Sequence, residues 1–318
     1  MSSTKVIVIL GATGNQGGSV ADTFFEKPGW QIRALTRNTS SAKAHALAKR
    51  GAQVVTADID NPETLPAAFE GAHAVFAVSN FWALYGDPAN QGKNKPGQPL
   101  NVWAAEHETR QLKNVIDAVA KVPTLERFVL SSLSNSTKWS KGKYTRVYHF
   151  DSKAKAEDYG KATYPDLWRK TSVFQAGIFL SNFISNYFFK ATKNEEGTVQ
   201  FKGNLVADVK FPFIAPEEDT GPIVEALITE PAGKNVVGYR EWLTLGEVVT
   251  LPLGEFHVPI PDDLKPELSD NSGYWNEFGY EGRDEPTITH PSNLETPLSL
   301  GTVEGYFKKQ DWDQVFSS

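Results

Sequence analysis

The stretch Val6-Ile7-Val8-Ile9-Leu10-Gly11-Ala12-Thr13-Gly14-Asn15-Gln16-Gly17 decides the fold. Its first five residues are an unbroken aliphatic run, the pattern of a strand buried on both faces of a parallel sheet. Glycines then recur as G-x-x-G-x-x-G, and a helix is expected from about 18 to 26. Glycines in such a strand–turn–helix permit a tight turn and close backbone approach, so that helix N–H groups can face a pyrophosphate. A strand–helix turn that holds no ligand is the competing reading.

Downstream the alternation repeats. Strands are expected at 31–36, 53–57, 74–78 and 127–131, with a sixth at 171–176, and helices at 41–50, near 63–69 and at 102–120. This spacing predicts right-handed βαβ units and an α/β fold: a doubly wound parallel Rossmann sheet with a smaller, interleaved C-terminal α/β region. Between 80 and 100 the pattern breaks at Gly86, Pro88, Gly92, Pro96, Gly97 and Pro99, so a long loop is expected there. It follows the fourth strand at its carboxyl end, where open α/β sheets place their ligands. A short strand at 198–202 and a helix at 219–228 are expected later, and 252–297 reads as irregular.

The composition narrows the function. The chain has 318 residues, a formal net charge of −6 and no cysteine. Disulfides, thiolate zinc sites, iron–sulfur clusters and cysteine nucleophiles are therefore excluded, and no metal is expected. The acidic balance argues against a nucleic-acid or anionic-lipid surface. No signal-like segment opens the chain, and no apolar run approaches the roughly 18–20 residues that span a bilayer. A cytoplasmic protein is expected, or a nuclear one if its role is regulatory.

The second strand selects the cofactor. Sites for NAD usually place an acidic residue at its end, on the ribose 2′-hydroxyl. No Asp or Glu stands between Glu26 and Asp58; the strand ends Leu35-Thr36-Arg37-Asn38, with Lys43 close behind. A guanidinium there suits a 2′-phosphate, so NADP(H) is the expected cofactor, against the alternative of a solvated surface arginine. Asp58 either flanks the adenine or caps the turn before Pro62.

The segments GATGNQGGSV (11–20), RALTRN (33–38), VSNFW (78–82), HFDSKAKAEDY (149–159), IFLSNF (178–183) and YREWLTLGEV (239–248) resemble the NmrA-like family of atypical short-chain dehydrogenase/reductase relatives, in particular its fungal secondary-metabolism members. The resemblance covers most of the chain. It implies an NADP(H)-binding Rossmann domain over 1–152, joined by the sixth strand, and a mainly substrate-binding region over 153–318. It also implies a phosphate loop from Gly11, Ala12, Thr13, Gly14, Asn15 and Gln16, closed by Gly17, with Arg37 at the 2′-phosphate. Asp58 and Ile59 would border the adenine, while Ser79, Asn80 and Phe81 would pass the ribose and nicotinamide side. Lys153 would reach the nicotinamide ribose, and Phe179 to Asn182 would cover the nicotinamide end. Members divide into NADP(H)-binding sensors or transcriptional co-regulators and tailoring enzymes of secondary metabolism.

Ordinary relatives use Tyr-x-x-x-Lys, in which the lysine lowers the tyrosine pKa. Here the frame reads His149-Phe-Asp-Ser-Lys153. His149 is either an acid/base near neutral pH or a structural helix-entry residue; Lys153 is either a cofactor contact or a solvated lysine. Loop-associated aromatics point to a hydrophobic small-molecule site. The substrate contacts expected are Trp82, Tyr85, Trp103, Phe183 and Tyr187, with Gln175 and Asn182 as polar partners. The leading expectation is hydride transfer to an imine-type or unsaturated centre of a bulky, ring-rich metabolite, with ring formation a further option. The alternatives are a non-catalytic sensor with a protein partner, and an isomerase or cyclase using the cofactor structurally.

Overall fold

The computed structural model describes residues 4–184, 192–193, 199–200, 205–206, 208–249 and 261–317. Its strands are β1 (Lys5–Leu10), β2 (Trp30–Thr36), β3 (Gln53–Thr56), β4 (Ala74–Ala77), β5 (Arg127–Ser132), β6 (Thr171–Ala176), β7 (Ile178–Phe179), β8 (Thr192–Lys193), β9 (Val199–Gln200), β10 (Lys210–Ile214), β11 (Asn235–Gly238), β12 (Glu241–Thr244) and β13 (Ile288–Thr289). The helices are α1 (Asn15–Phe25), α2 (Ala42–Lys49), α3 (Leu65–Phe69), α4 (Phe81–Gly86), α5 (Leu100–Val119), α6 (Ser136–Trp139), α7 (Tyr148–Thr163), α8 (Pro165–Trp168), α9 (Pro216–Thr229), α10 (Leu245–Val249), α11 (Lys265–Phe278), α12 (Val303–Lys308) and α13 (Trp312–Ser317).

Eight strands form one all-parallel sheet in the order β13-β11-β6-β5-β4-β1-β2-β3. This is the expected doubly wound α/β fold. The aliphatic run of β1 serves both faces: Ile7 and Ile9 enter the core under α1 and α9, while Val8 and Leu10 enter the core under α3 and α5. Because β1 pairs with β2 on one side and β4 on the other, the strand order reverses between them. The carboxyl ends of β1 and β4 therefore open onto a crevice, the general ligand position of such sheets.

Over that edge lies a third core, built from Phe150, Phe183, Phe211, Phe213, Tyr274, Trp275 and Tyr306, and flanked by the three-stranded sheet β12-β10-β7. The chain returns from it to the main sheet. The division at 152/153 falls inside α7, and β6, β11 and β13 all join the parallel sheet after it.

Three elements differ from the sequence expectation. Helix α1 starts at Asn15, because the Gly14 N–H donates to the Gly11 carbonyl and the Gly18 N–H to that of Gly14. The loop over 80–100 contains α4 and a short turn of helix at 88–90. Asn80 and Asp87 cap them, accepting from the N–H of Ala83 and of Ala89. The stretch read as irregular contains α11, masked in the sequence by Pro266 in its first turn and by Gly273. A Cβ at Gly273 would lie 2.5 Å from the Tyr144 ring, which crosses the helix there. The expected strand at 198–202 is described only at Val199–Gln200, as β9 paired with β8.

Arg240 ties the return path together. Its buried guanidinium donates to both oxygens of Asp219, to Glu218 at 2.8 Å and to the Thr302 carbonyl at 3.1 Å. Asp219 in turn accepts from the Ala215 N–H at the start of α9. Arg240→Leu leaves Asp219 buried without its cation, so a loss of about 3–5 kcal/mol in unfolding free energy is expected by denaturant titration.

Candidate functional site

A cleft of about 1520 Å³ follows the carboxyl edge of the sheet, from the glycine loop to α11. It exceeds the roughly 300–1,000 Å³ of a site for one small ligand, which leaves room for two molecules side by side.

At one end the loop 11–17 wraps the start of α1. Gly11 takes a φ of +68°, in the left-handed region where side chains are disfavoured. A Cβ on Gly17 would sit 2.2 Å from the Gly11 carbonyl oxygen, so the helix approaches the turn as closely as a backbone allows. No side chain caps α1 and no acidic residue stands in its first turn. Its positive end is thus left open toward the cleft, a site for an anion. Lys43 Nζ donates to the Thr13 carbonyl at 3.0 Å, adding a cation above the loop. Arg37 lines the cleft, is exposed, and has no ion pair among the described residues. Asp58 and Ile59 line the next part of the wall. Asp58 Oδ1 accepts from the Asp60 N–H, whereas Asn61 caps the turn at Pro62. Asp60 accepts from His107 Nε2 at 2.6 Å and from Gln111 Nε2 at 2.9 Å.

Two buried carboxylates organise the middle. Glu108 accepts from Lys153 Nζ at 2.7 Å, from Ser79 Oγ at 2.8 Å and from Ser152 Oγ. Lys153 also donates to the His149 carbonyl at 3.3 Å, so its ammonium is fixed within the wall rather than solvated. Glu267 accepts from the His149 backbone N–H at 3.1 Å, from His149 Nδ1 at 2.7 Å and from Asn101 Nδ2 at 2.9 Å. A carboxylate only accepts, so the ring donates through Nδ1, and Nε2 is the ring nitrogen that Glu267 does not engage. The imidazole lies against the Trp82 ring, centroids 4.9 Å apart, and lines the cleft with Lys153.

The structure brings most of the expected residues together. Gly11, Thr13, Gly14, Asn15, Gln16, Gly17, Arg37, Asp58, Ile59, Ser79, Asn80, Phe81, Trp82, His149, Lys153, Phe179 and Asn182 all line the one cleft. Ala12 is the exception in the loop: its side chain is buried in the core under α1. Four expected substrate contacts do not line the cleft. The Tyr85 hydroxyl donates instead to Asp263, and Trp103 packs against His107 with ring centroids 4.8 Å apart. Gln175, the penultimate residue of β6, donates to Asn235. Phe183 is core, because the 3₁₀ turn over 180–183 aligns it with Leu180 and leaves Ser181 and Asn182 for the cleft. Tyr187 lies outside the described residues. Tyr144 donates to Glu277, away from the cleft.

Sequence reading missed Glu108, Glu267, Asn101, Asn271 and Tyr280. Glu108 did carry a signal: it falls on the buried stripe of α5, with Ala104, Ala105, Leu112 and Val115. A carboxylate on an apolar stripe requires buried partners. Glu267 and Asn271 carried none, since α11 itself was not legible.

Fold and site together define a Rossmann-type α/β protein with a composite cleft at its switch point. The chain belongs to the NmrA-like family, whose model matches residues 3–252. It is 31% identical to the NmrA-like family domain-containing oxidoreductase hkm9 of Aspergillus hancockii, over 78% of this chain and 72% of that protein. It is 28% identical to the corresponding oxidoreductase cpsB of Aspergillus campestris, over 97% and 90%. Among solved structures it resembles NmrA, a negative transcriptional regulator, in complex with NADP. The TM-score is 0.67 at 19% identity, over 96% of this chain and 91% of that one. A second resemblance is to AtPrR2 with NADP+ and (+)pinoresinol, TM-score 0.65 at 16% identity, over 97% and 99%.

The glycine loop offers a direct check of this geometry. Gly17→Ala forces the Gly11 carbonyl out of its place. A loss of about 1–3 kcal/mol in stability is expected by denaturant titration, the usual cost of overpacking.

Proposed function

We propose that the protein is an NADP(H)-dependent oxidoreductase acting on a bulky, neutral, ring-rich substrate. The observation that carries this reading is one continuous cleft with an uncapped helix N-terminus at one end and His149 against an aromatic wall further along it.

The residues present fit the dinucleotide. The open N–H groups of α1 and the glycine cradle suit a pyrophosphate, and Arg37, without an ion pair among the described residues, suits a 2′-phosphate, with Lys43 behind it. Asp58 and Ile59 would flank the adenine. Ser79, Asn80, Phe81 and Lys153 would hold the nicotinamide ribose, with Phe179 and Asn182 covering the nicotinamide. NADPH, when bound, supplies a hydride. Lys153, its charge balanced by Glu108, would orient the ribose, since position 149 holds no tyrosine whose pKa it could lower. His149 exchanges the proton through Nε2, with Glu267 holding the tautomer and ring plane. This suits an imine-type or unsaturated carbon, where hydride addition and proton transfer need not share one oxygen. Coupled ring formation is compatible with the spare volume. The names of the fungal relatives support an oxidoreductase. A non-catalytic sensor is the second reading, favoured by the His149 replacement and by the fold shared with a regulator.

The test follows nicotinamide absorbance and product mass with NADPH and a panel of neutral polycyclic imines, enones and ketones. Turnover is expected, and His149→Ala should lower kcat by roughly 10²–10⁴ while NADPH affinity stays intact. Lys153→Ala should also lower kcat. Tight NADPH binding with no product from any compound would replace this reading by the sensor. Separately, Arg37→Ala should weaken NADPH by about 10–100-fold and leave NADH unchanged, the loss of one charge-assisted contact.

A further inference from the structure

Gln111 stands on α5 and lines the cleft beside Asp58, Ile59 and Asp60. Its side-chain amide is held from one end only, by Nε2 donating to Asp60 Oδ2 at 2.9 Å. A carboxylate only accepts, so the amide cannot be turned over without losing this bond, and Oε1 faces away from Asp60. Oε1 accepts from no described residue yet is not sealed inside the protein, so it is open to the cleft that Gln111 lines. The support behind the amide is itself fixed. Asp60 Oδ1 accepts from His107 Nε2 at 2.6 Å, and His107 Nδ1 lies 2.6 Å from an Arg110 guanidinium nitrogen. An arginine only donates, so this imidazole accepts at Nδ1 and donates at Nε2. Further along α5, Asn114 Nδ2 donates to the Ile59 carbonyl at 2.9 Å. Asp60 thus has both oxygens engaged by the protein. Among the described residues, Gln111 Oε1 and Asp58 Oδ2 are the acceptors left in this corner to meet a ligand.

We propose that Gln111 is a specificity residue for the base of the cofactor: its Oε1 accepts from the exocyclic amino group of adenine, beside Asp58. A dinucleotide anchored at the glycine loop after β1 lays its adenosine half over the carboxyl ends of β2 and β3, the side on which Arg37 stands for the 2′-phosphate. An acceptor there selects by hydrogen-bond chemistry. Adenine carries an amino group at C6, whereas hypoxanthine and guanine carry a carbonyl oxygen. An oxo base sets oxygen against oxygen and leaves the Gln111 acceptor unpaired. Two donors of this wall are already engaged, His107 by Asp60 and Lys93 by Asn90 Oδ1 at 2.7 Å. The role of Asp60 is then one of positioning: it fixes which end of the Gln111 amide meets the base.

This inference rests on the placement of the adenine at Asp58 and Ile59, and not on catalysis, because every measurement is of binding without substrate. NADPH, NADH and reduced nicotinamide hypoxanthine dinucleotide phosphate are titrated against the whole chain by nicotinamide fluorescence. The unmodified protein is expected to bind NADPH at least about tenfold tighter than the hypoxanthine analogue. Gln111→Met keeps the length and helix preference of the side chain, and Asp60, 36% exposed, can take water in place of the lost donor. That variant should lower the preference for the amino base by about fivefold or more. Its preference for NADPH over NADH, set at the 2′-phosphate, should stay unchanged, which shows the rest of the site intact. A glutamine with a structural role alone would weaken both bases alike. Equal affinity of the unmodified protein for the two bases, or a base preference that Gln111→Met leaves unmoved, would overturn the proposal. Failure of the oxidoreductase reading shows separately, as absence of turnover, and does not alter these binding ratios.

Discussion

The site depends on one buried negative charge. Glu108 is wholly enclosed and survives there only because Lys153, Ser79 and Ser152 all donate to it. Burying an unpaired carboxylate costs several kcal/mol, and a well-satisfied one is a strong geometric constraint because any missing donor leaves that cost uncompensated. The three donors come from the chain just after β4 and from α7, while Glu108 itself stands on α5. Their shared acceptor therefore sets where the carboxyl edge of the sheet meets the helix that carries His149.

Glu267 repeats this arrangement one layer out. It binds α11 to the first turns of α5 and α7 through Asn101 and His149, and Arg146 adds a bidentate bond to Asp270 one turn later. Both carboxylates hold a basic neighbour: one pairs with an ammonium, the other with an imidazole Nδ1. Neither touches the cleft in the manner of a substrate group. His149 and Lys153 are thus two separately anchored residues, each with its own buried carboxylate.

Local signals carried the Rossmann half. The alternation of strand and helix was legible because each strand of a parallel sheet is a short contiguous apolar run, buried on both faces. Much less of the second region was legible. Gly273 and Pro266 are poor helix markers, yet α11 forms because Tyr274 and Trp275 bury against Phe150 and Tyr280, contacts invisible to any local window. The aromatic census misled for the same reason. Trp82 and Phe183 look alike in sequence, but a 3₁₀ turn sends Phe183 into the core while α4 leaves Trp82 at the cleft.

The sequence by itself determined the strand–glycine–helix unit over residues 6–17 and the absence of acid at the end of β2. Those features are decided by neighbours along the chain: by φ freedom at glycine, by aliphatic runs, and by which charge follows a strand. Only the tertiary structure decided the rest of the site. His149 and Glu267 are 118 residues apart, and Asn101 and Glu267 are 166 apart. No local pattern specifies such a pair, because what selects it is the cost of a buried charge, and burial exists only once the whole chain has packed.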